Sequence, residues 1–139
     1  MGKATKILII EDEPDVSLYL QTVLETDGYK TEVCDTATAG MDRVEEFKPD
    51  LISLDIMMPH ETGMSFYVKL KKSRKHARIP VIIISGAVQQ KEFRFEDFVP
   101  DKSVPPPELY MEKPIDIDLF LKTVRKLLKT ASGTKVKGA

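Results

Sequence analysis

Lys6-Ile7-Leu8-Ile9-Ile10-Glu11-Asp12-Glu13-Pro14 is the stretch on which the fold turns. Lys6 to Ile10 is a short β-prone run with no polar alternation, the pattern of a strand covered on both faces rather than one. Three carboxylates follow, and Pro14 suits the first turn of a helix. Val16, Tyr19, Leu20, Val23 and Leu24 then fall at i, i+3, i+4, i+7 and i+8, one apolar stripe ending near Asp27-Gly28. A buried strand leading directly into an amphipathic helix is the βα unit of a parallel sheet.

The same alternation continues outward. Tyr29 to Cys34 reads as a second strand, and Thr36 to Phe47, with Met41, Val44 and Phe47 spaced by three, as a second helix. Leu51-Ile52-Ser53-Leu54 is a third strand, followed by a loop through Pro59 and Gly63. The next helix bears Met64, Tyr67 and Val68 and ends in Lys71, Lys72, Arg74 and Lys75, a basic end that complements the helix dipole. Val81 to Ile84 is the most hydrophobic strand, and Leu109-Tyr110-Met111 reads as a short fifth. Pro114 opens a last helix with the stripe Ile117, Phe120, Leu121, Val124 and Leu128, and a frayed tail is expected from Ala131.

Between the fourth and fifth strands the pattern breaks down. Gln89 to Phe98 has helical length, but Phe93, Phe95 and Phe98 form no clean stripe, and Pro100 with Pro105-Pro106-Pro107 excludes a helix beyond it. The expectation is an α/β protein with a five-stranded, doubly wound parallel sheet and right-handed crossovers. Its domain spans 1–130 with an atypical segment at 88–109, and 131–139 form a flexible tail.

Composition excludes several classes. With 139 residues, 42% hydrophobic and 31% charged, the chain has the make-up of one ordinary globular domain. Lys and Arg number 21 against 22 Asp and Glu, a balance that argues against a dedicated nucleic-acid binder. One cysteine, Cys34, makes neither an internal disulfide nor a cysteine-based zinc site. No apolar run approaches the ~20 residues of a membrane helix, and no signal peptide is evident, so a cytoplasmic location is expected.

Parallel strands bring their C-terminal ends to one edge, where open α/β sheets bind ligands. The residues just past the apolar runs are Glu11 and Asp12, Asp55, Ser85 and Lys113. Any one acidic loop residue can be a solvated turn; Asp55 is harder to dismiss, because it abuts Leu51–Leu54 and is followed by Ile56-Met57-Met58. Three clustered carboxylates raise one another's pKa unless a cation neutralises them, and an all-oxygen set suits Mg²⁺ better than Zn²⁺. His60 and His76 show no ligand spacing and read as surface histidines. Beside such a metal, Lys113 and Ser85 suit a phosphoryl group, with Asp55 as the nucleophile forming an acyl phosphate. No glycine-rich phosphate loop is present, which disfavours nucleotide hydrolysis.

These motifs, Ile7 to Pro14, Asp50 to Pro59 with Gly63, Ile82-Ile83-Ile84-Ser85-Gly86-Ala87 and Lys113-Pro114, make the chain resemble the receiver domains of bacterial two-component response regulators, the CheY-like family. The resemblance covers about Lys6 to Lys129. It implies a flavodoxin-like strand order 2-1-3-4-5 and a single-domain response regulator with Asp55 phosphorylated by a histidine kinase or phosphotransfer protein. It implies Mg²⁺ held by Glu11, Asp12, Asp55 and the main-chain carbonyl of Met57, with Ser85 and Lys113 on the phosphoryl group. Ser85 and Tyr110 would be the switch residues, and the Lys113–Pro114 bond is typically cis in this family. Output would pass to an unidentified protein target from a monomer or a phosphorylation-dependent dimer.

Departures from the family pattern lie in the segment before Tyr110, longer than usual and lacking the small-residue turn. Glu11 stands where Asp is commoner, and Gly86 where Ala is. Met57 and Ala87 sit at positions that tune phosphoryl lifetime, and neither can orient a water, so slow self-dephosphorylation is expected. The competing readings are a pseudo-receiver that signals without phosphorylation, and a phosphatase of the haloacid-dehalogenase type. The latter lacks its second aspartate, Met57 standing there instead.

Overall fold

β1 (Lys6–Ile10) lies between β2 (Lys30–Cys34) and β3 (Leu51–Asp55), parallel to both. In this computed structural model, which describes residues 4–58, 61–85, 99 and 101–138, β6 (Val81–Ser85) and β7 (Leu109–Glu112) complete the sheet. The order is β2-β1-β3-β6-β7 with every pairing parallel, the 2-1-3-4-5 arrangement that the resemblance implies. A short antiparallel pair of two-residue strands, β4 (Met57–Met58) with β5 (Glu61–Thr62), occupies the stretch predicted as loop. The helices are α1 (Pro14–Thr26), α2 (Gly40–Phe47), α3 (Gly63–Lys72) and α4 (Ile117–Gly138).

The missing polar alternation of the strands has its reason in two cores. Leu8, Ile10, Ile52, Leu54, Val81 and Ile83 point to one face, against Val44, Phe47, Phe66, Tyr67 and Leu70 of α2 and α3. Ile7, Ile9, Leu51, Ile82 and Ile84 point to the other, against Leu20, Leu24, Phe120 and Val124 of α1 and α4. Side chains alternate between faces along a strand, so the inner strands of a sheet covered twice carry apolar residues on both faces.

Helix starts differ from the periodicity. α2 begins at Gly40 rather than Thr36, because Thr36 Oγ1 accepts a hydrogen bond from the Ala39 amide at 3.2 Å and folds 36–39 into a turn. A Cβ on Gly40 would stand 2.5 Å from the Phe66 ring, so the helix enters at a point where only glycine fits. α4 begins past Pro114, where Asp116 Oδ1 accepts from the Leu119 amide at 3.1 Å and caps the first turn. Its backbone stays helical beyond Ala131 to Gly138, a stretch without proline.

His76 is a correction. Expected at the surface, it is buried, with its Nε2 2.8 Å from Glu45 Oε2. The turns following α3 fold the chain back under α2: the amides of His76 and Ala77 both donate to the Ser73 carbonyl.

The proline-rich end of the atypical segment is fastened to the fold. Asp101 pairs with Lys72 at 3.0 Å, Val104 is buried among the α2–α3 core, and the Tyr67 hydroxyl donates to the Pro105 carbonyl at 2.6 Å. Glu108 accepts from the Val81 amide at 2.8 Å, tying the segment to the start of β6. The expectations for Pro59, His60, Gly86, Ala87, the helix or phenylalanine cluster of 89–98, and Pro100 lie outside the described residues. Among the described residues no helix is long and apolar enough to cross a membrane.

Candidate functional site

β1 and β3 are neighbours in the sheet whose outgoing connections run to opposite faces, α1 on one and α3 on the other. The crevice at their C-terminal ends is a topological switch point. It holds Glu11 and Asp12 from the loop after β1 and Asp55 from the last position of β3. One oxygen from each of these three carboxylates can be chosen so that all lie within 4.8 Å of one another. Glu11 and Asp55 are each only 2% exposed, so their charges are withdrawn from water.

Lys113, just past β7, reaches into this cluster. Its Nζ donates to Glu13 Oε1 at 2.6 Å, Glu11 Oε2 at 3.2 Å and Asp55 Oδ2 at 3.3 Å. The Lys113–Pro114 peptide is cis. Burial alone would lower the Lys113 pKa, but the Glu13 hydrogen bond and the charges of Asp55 and Glu11 prevail and hold it above the ordinary lysine value. The opposite holds for Glu11. Burial, reinforced by the nearby Asp55 charge, pushes its carboxyl up to about 7 despite Lys113. One ammonium does not fully compensate the cluster. A set of hard oxygen donors with surplus negative charge fits a small divalent cation such as Mg²⁺.

Backbone geometry fixes the floor of the site. The Gly63 amide donates to the Ile56 carbonyl at 3.2 Å, and a Cβ on Gly63 would lie 2.7 Å from the Asp55 carbonyl oxygen and 2.9 Å from Leu54 Cδ1. The sequence placed Gly63 in a loop and in the motif that follows Asp55; its contact is with the backbone of the central carboxylate.

The other expected site residues are placed as follows. Ser85 ends β6, one position beyond Ile84, the partner of Asp55. Met57 opens β4 two residues past Asp55. Tyr110 pairs with Ile83 in register and packs, half-buried, against the α2–α3 core. Beside it Tyr67 is fully buried, its phenol pushed above the usual tyrosine range by burial and then by Glu108 and Tyr110. Sequence reasoning gave Glu13 no role, although three consecutive acidic residues at a strand end were the signal available.

Comparison with known proteins agrees with this geometry. The family model for the response regulator receiver domain matches residues 7–125. The DNA-binding dual master transcriptional regulator RpaA of Synechocystis is 32% identical over 89% of this chain and 49% of its own length. The chemotaxis protein CheY of Treponema pallidum is 29% identical over 92% of this chain and 85% of its own. The chain spans about half the length of the first curated relatives it matches. Among solved structures, a CheY-like receiver domain protein from Methanospirillum hungatei superposes with a TM-score of 0.79 at 23% identity, over 95% of this chain and 99% of that one. The receiver domain of the Francisella response regulator 1452 gives 0.75 at 28%, over 91% and 98%.

Proposed function

Because the chain belongs to the response regulator receiver domain family, we propose that it works as a phosphorylation switch whose acceptor is Asp55. The phosphoryl group would come from a phosphohistidine of a histidine kinase or phosphotransfer protein in the cytoplasm. The observation that carries this reading is the setting of Asp55: buried at a strand end, inside a three-carboxylate cluster, with the Lys113 ammonium 3.3 Å from its Oδ2.

In the transfer, a carboxylate oxygen of Asp55 attacks phosphorus. The new P–O bond makes an acyl phosphate, the P–N bond breaks, and its electron pair stays on the imidazole, which takes up a proton. Glu11, Asp12, Asp55 and the main-chain carbonyl of Met57 would hold Mg²⁺. The ion supplies neutralisation of the transferring phosphoryl oxygens. Lys113 pairs with the phosphoryl charge from the other side, and the Ser85 hydroxyl donates to one of its oxygens. The gain of charge and acceptor oxygens at Asp55 draws on Ser85, and Tyr110 follows by repacking, which would switch the face of the fourth strand, the helix expected after it and the fifth strand. A protein target reads that face.

The intact set of Glu11, Asp12, Asp55 and Lys113 favours this reading over a pseudo-receiver. A panel of histidine kinases and phosphotransfer proteins, charged with labelled phosphate, tests it. At least one should pass label to the parent chain and none to Asp55→Asn; equal labelling of both would overturn it.

A further inference from the structure

Glu13 stands at the N-cap of α1, yet its side chain makes no capping hydrogen bond. It turns to Lys113 instead, and at 2.6 Å its Oε1 is the nearest of the three carboxylate acceptors around Nζ. Its backbone is held at the rim, because its own amide donates to Glu11 Oε2 at 3.2 Å. Glu13 is not one of the three carboxylates that gather as cation ligands. Its side chain is 58% exposed, against 22% for that of Lys113.

We propose that Glu13 is a positioning residue that restrains phosphorylation of Asp55 by competing for the Lys113 ammonium. The inference rests on Asp55 being the phosphoacceptor. An ammonium has three donors, and here all three are engaged by Glu13, Glu11 and Asp55. A phosphoryl group arriving at Asp55 brings three further strong acceptor oxygens, so Lys113 must leave one partner to meet it. Glu13 is the partner to be left, since water reaches its carboxylate while Glu11 and Asp55 are buried. Until it is left, Glu13 draws the ammonium toward the rim. Removing its charge frees Lys113 for the phosphoryl group.

Initial rates of phosphorylation by acetyl phosphate, at fixed Mg²⁺, test this on the parent chain, Glu13→Gln and Glu13→Asp, each shown folded by circular dichroism. Glu13→Gln should be faster by about threefold or more, the scale expected for loss of a partly exposed ion pair. Glu13→Asp, which restores the charge, should return toward the parent rate, which a merely structural role would not require. A parent that is phosphorylated while Glu13→Gln is no faster, or Glu13→Asp as fast as Glu13→Gln, overturns this inference alone. A parent that takes no phosphoryl group from acetyl phosphate overturns this inference, and one that also takes none from the kinase panel overturns the reading of Asp55.

Discussion

Gly63 lies so close to Asp55 that a Cβ built on it would stand 2.7 Å from the Asp55 carbonyl oxygen. The first residue of α3 is thus pressed against the last residue of β3, and the loop that leaves Asp55 is braced by a residue eight positions later. The apolar end of β3 at Leu54 and the backbone of the central carboxylate meet at this contact.

Gly63→Ala should therefore push the loop after Asp55 away from α3. The clash is with backbone, which cannot rotate aside, so a loss of about 1–3 kcal/mol is expected from urea denaturation, as for other overpacked cores. Phosphorylation of Asp55 should slow in the same variant. An alanine variant as stable and as reactive as the parent would show that the close approach is not needed.

The Glu11 carboxyl gives a pH dependence of definite sign. Its value rises from 4.5 in the unfolded chain to about 7 in the folded one. Between those values the folded state binds more protons, so stability falls as pH rises from 5 to 7.5, by roughly 2–3 kcal/mol from this group. Asp27, Glu45 and Asp101 are held below the usual carboxylate range, through hydrogen bonds from Arg125, His76 and Ser103, and act only below that window. Thermal unfolding without divalent cation should show the fall, and saturating Mg²⁺ should flatten it. A midpoint independent of pH without cation would contradict the description of the cluster.

Tyr67→Phe removes the hydroxyl that donates to the Pro105 carbonyl from a fully buried ring. Loss of that bond should cost about 1 kcal/mol in equilibrium denaturation. Hydrogen exchange should quicken in 101–108 while β1 and β3 keep their protection. Unchanged exchange in 101–108 would mean that Val104 and the Lys72–Asp101 pair hold the segment without Tyr67.

The sheet was legible because both of its faces are covered. Ile7 to Ile10 and Leu51 to Leu54 record that covering directly; the ends of those runs pointed to Glu11, Asp12 and Asp55, and the end of the fifth strand to Lys113, which the structure brings together. Helix starts were less legible. The turn that Thr36 makes before α2 and the cap that Asp116 makes on α4 depend on single hydrogen bonds rather than on apolar spacing. His76 was misread because its burial comes from the fold-back after α3 and from Glu45, 31 residues upstream, neither of which leaves a local pattern. The pairing of Glu13 with Lys113, 100 residues apart, is hidden for the same reason.

The most direct test of the account is the intact mass of the chain after incubation with Mg²⁺ and acetyl phosphate, beside Asp55→Asn. The account predicts the added mass of one phosphoryl group on the parent, dependent on Mg²⁺ and absent from Asp55→Asn. The same addition on Asp55→Asn would contradict Asp55 as the acceptor built into this site, as would a folded parent that takes none with Mg²⁺ present from acetyl phosphate or from any charged histidine kinase.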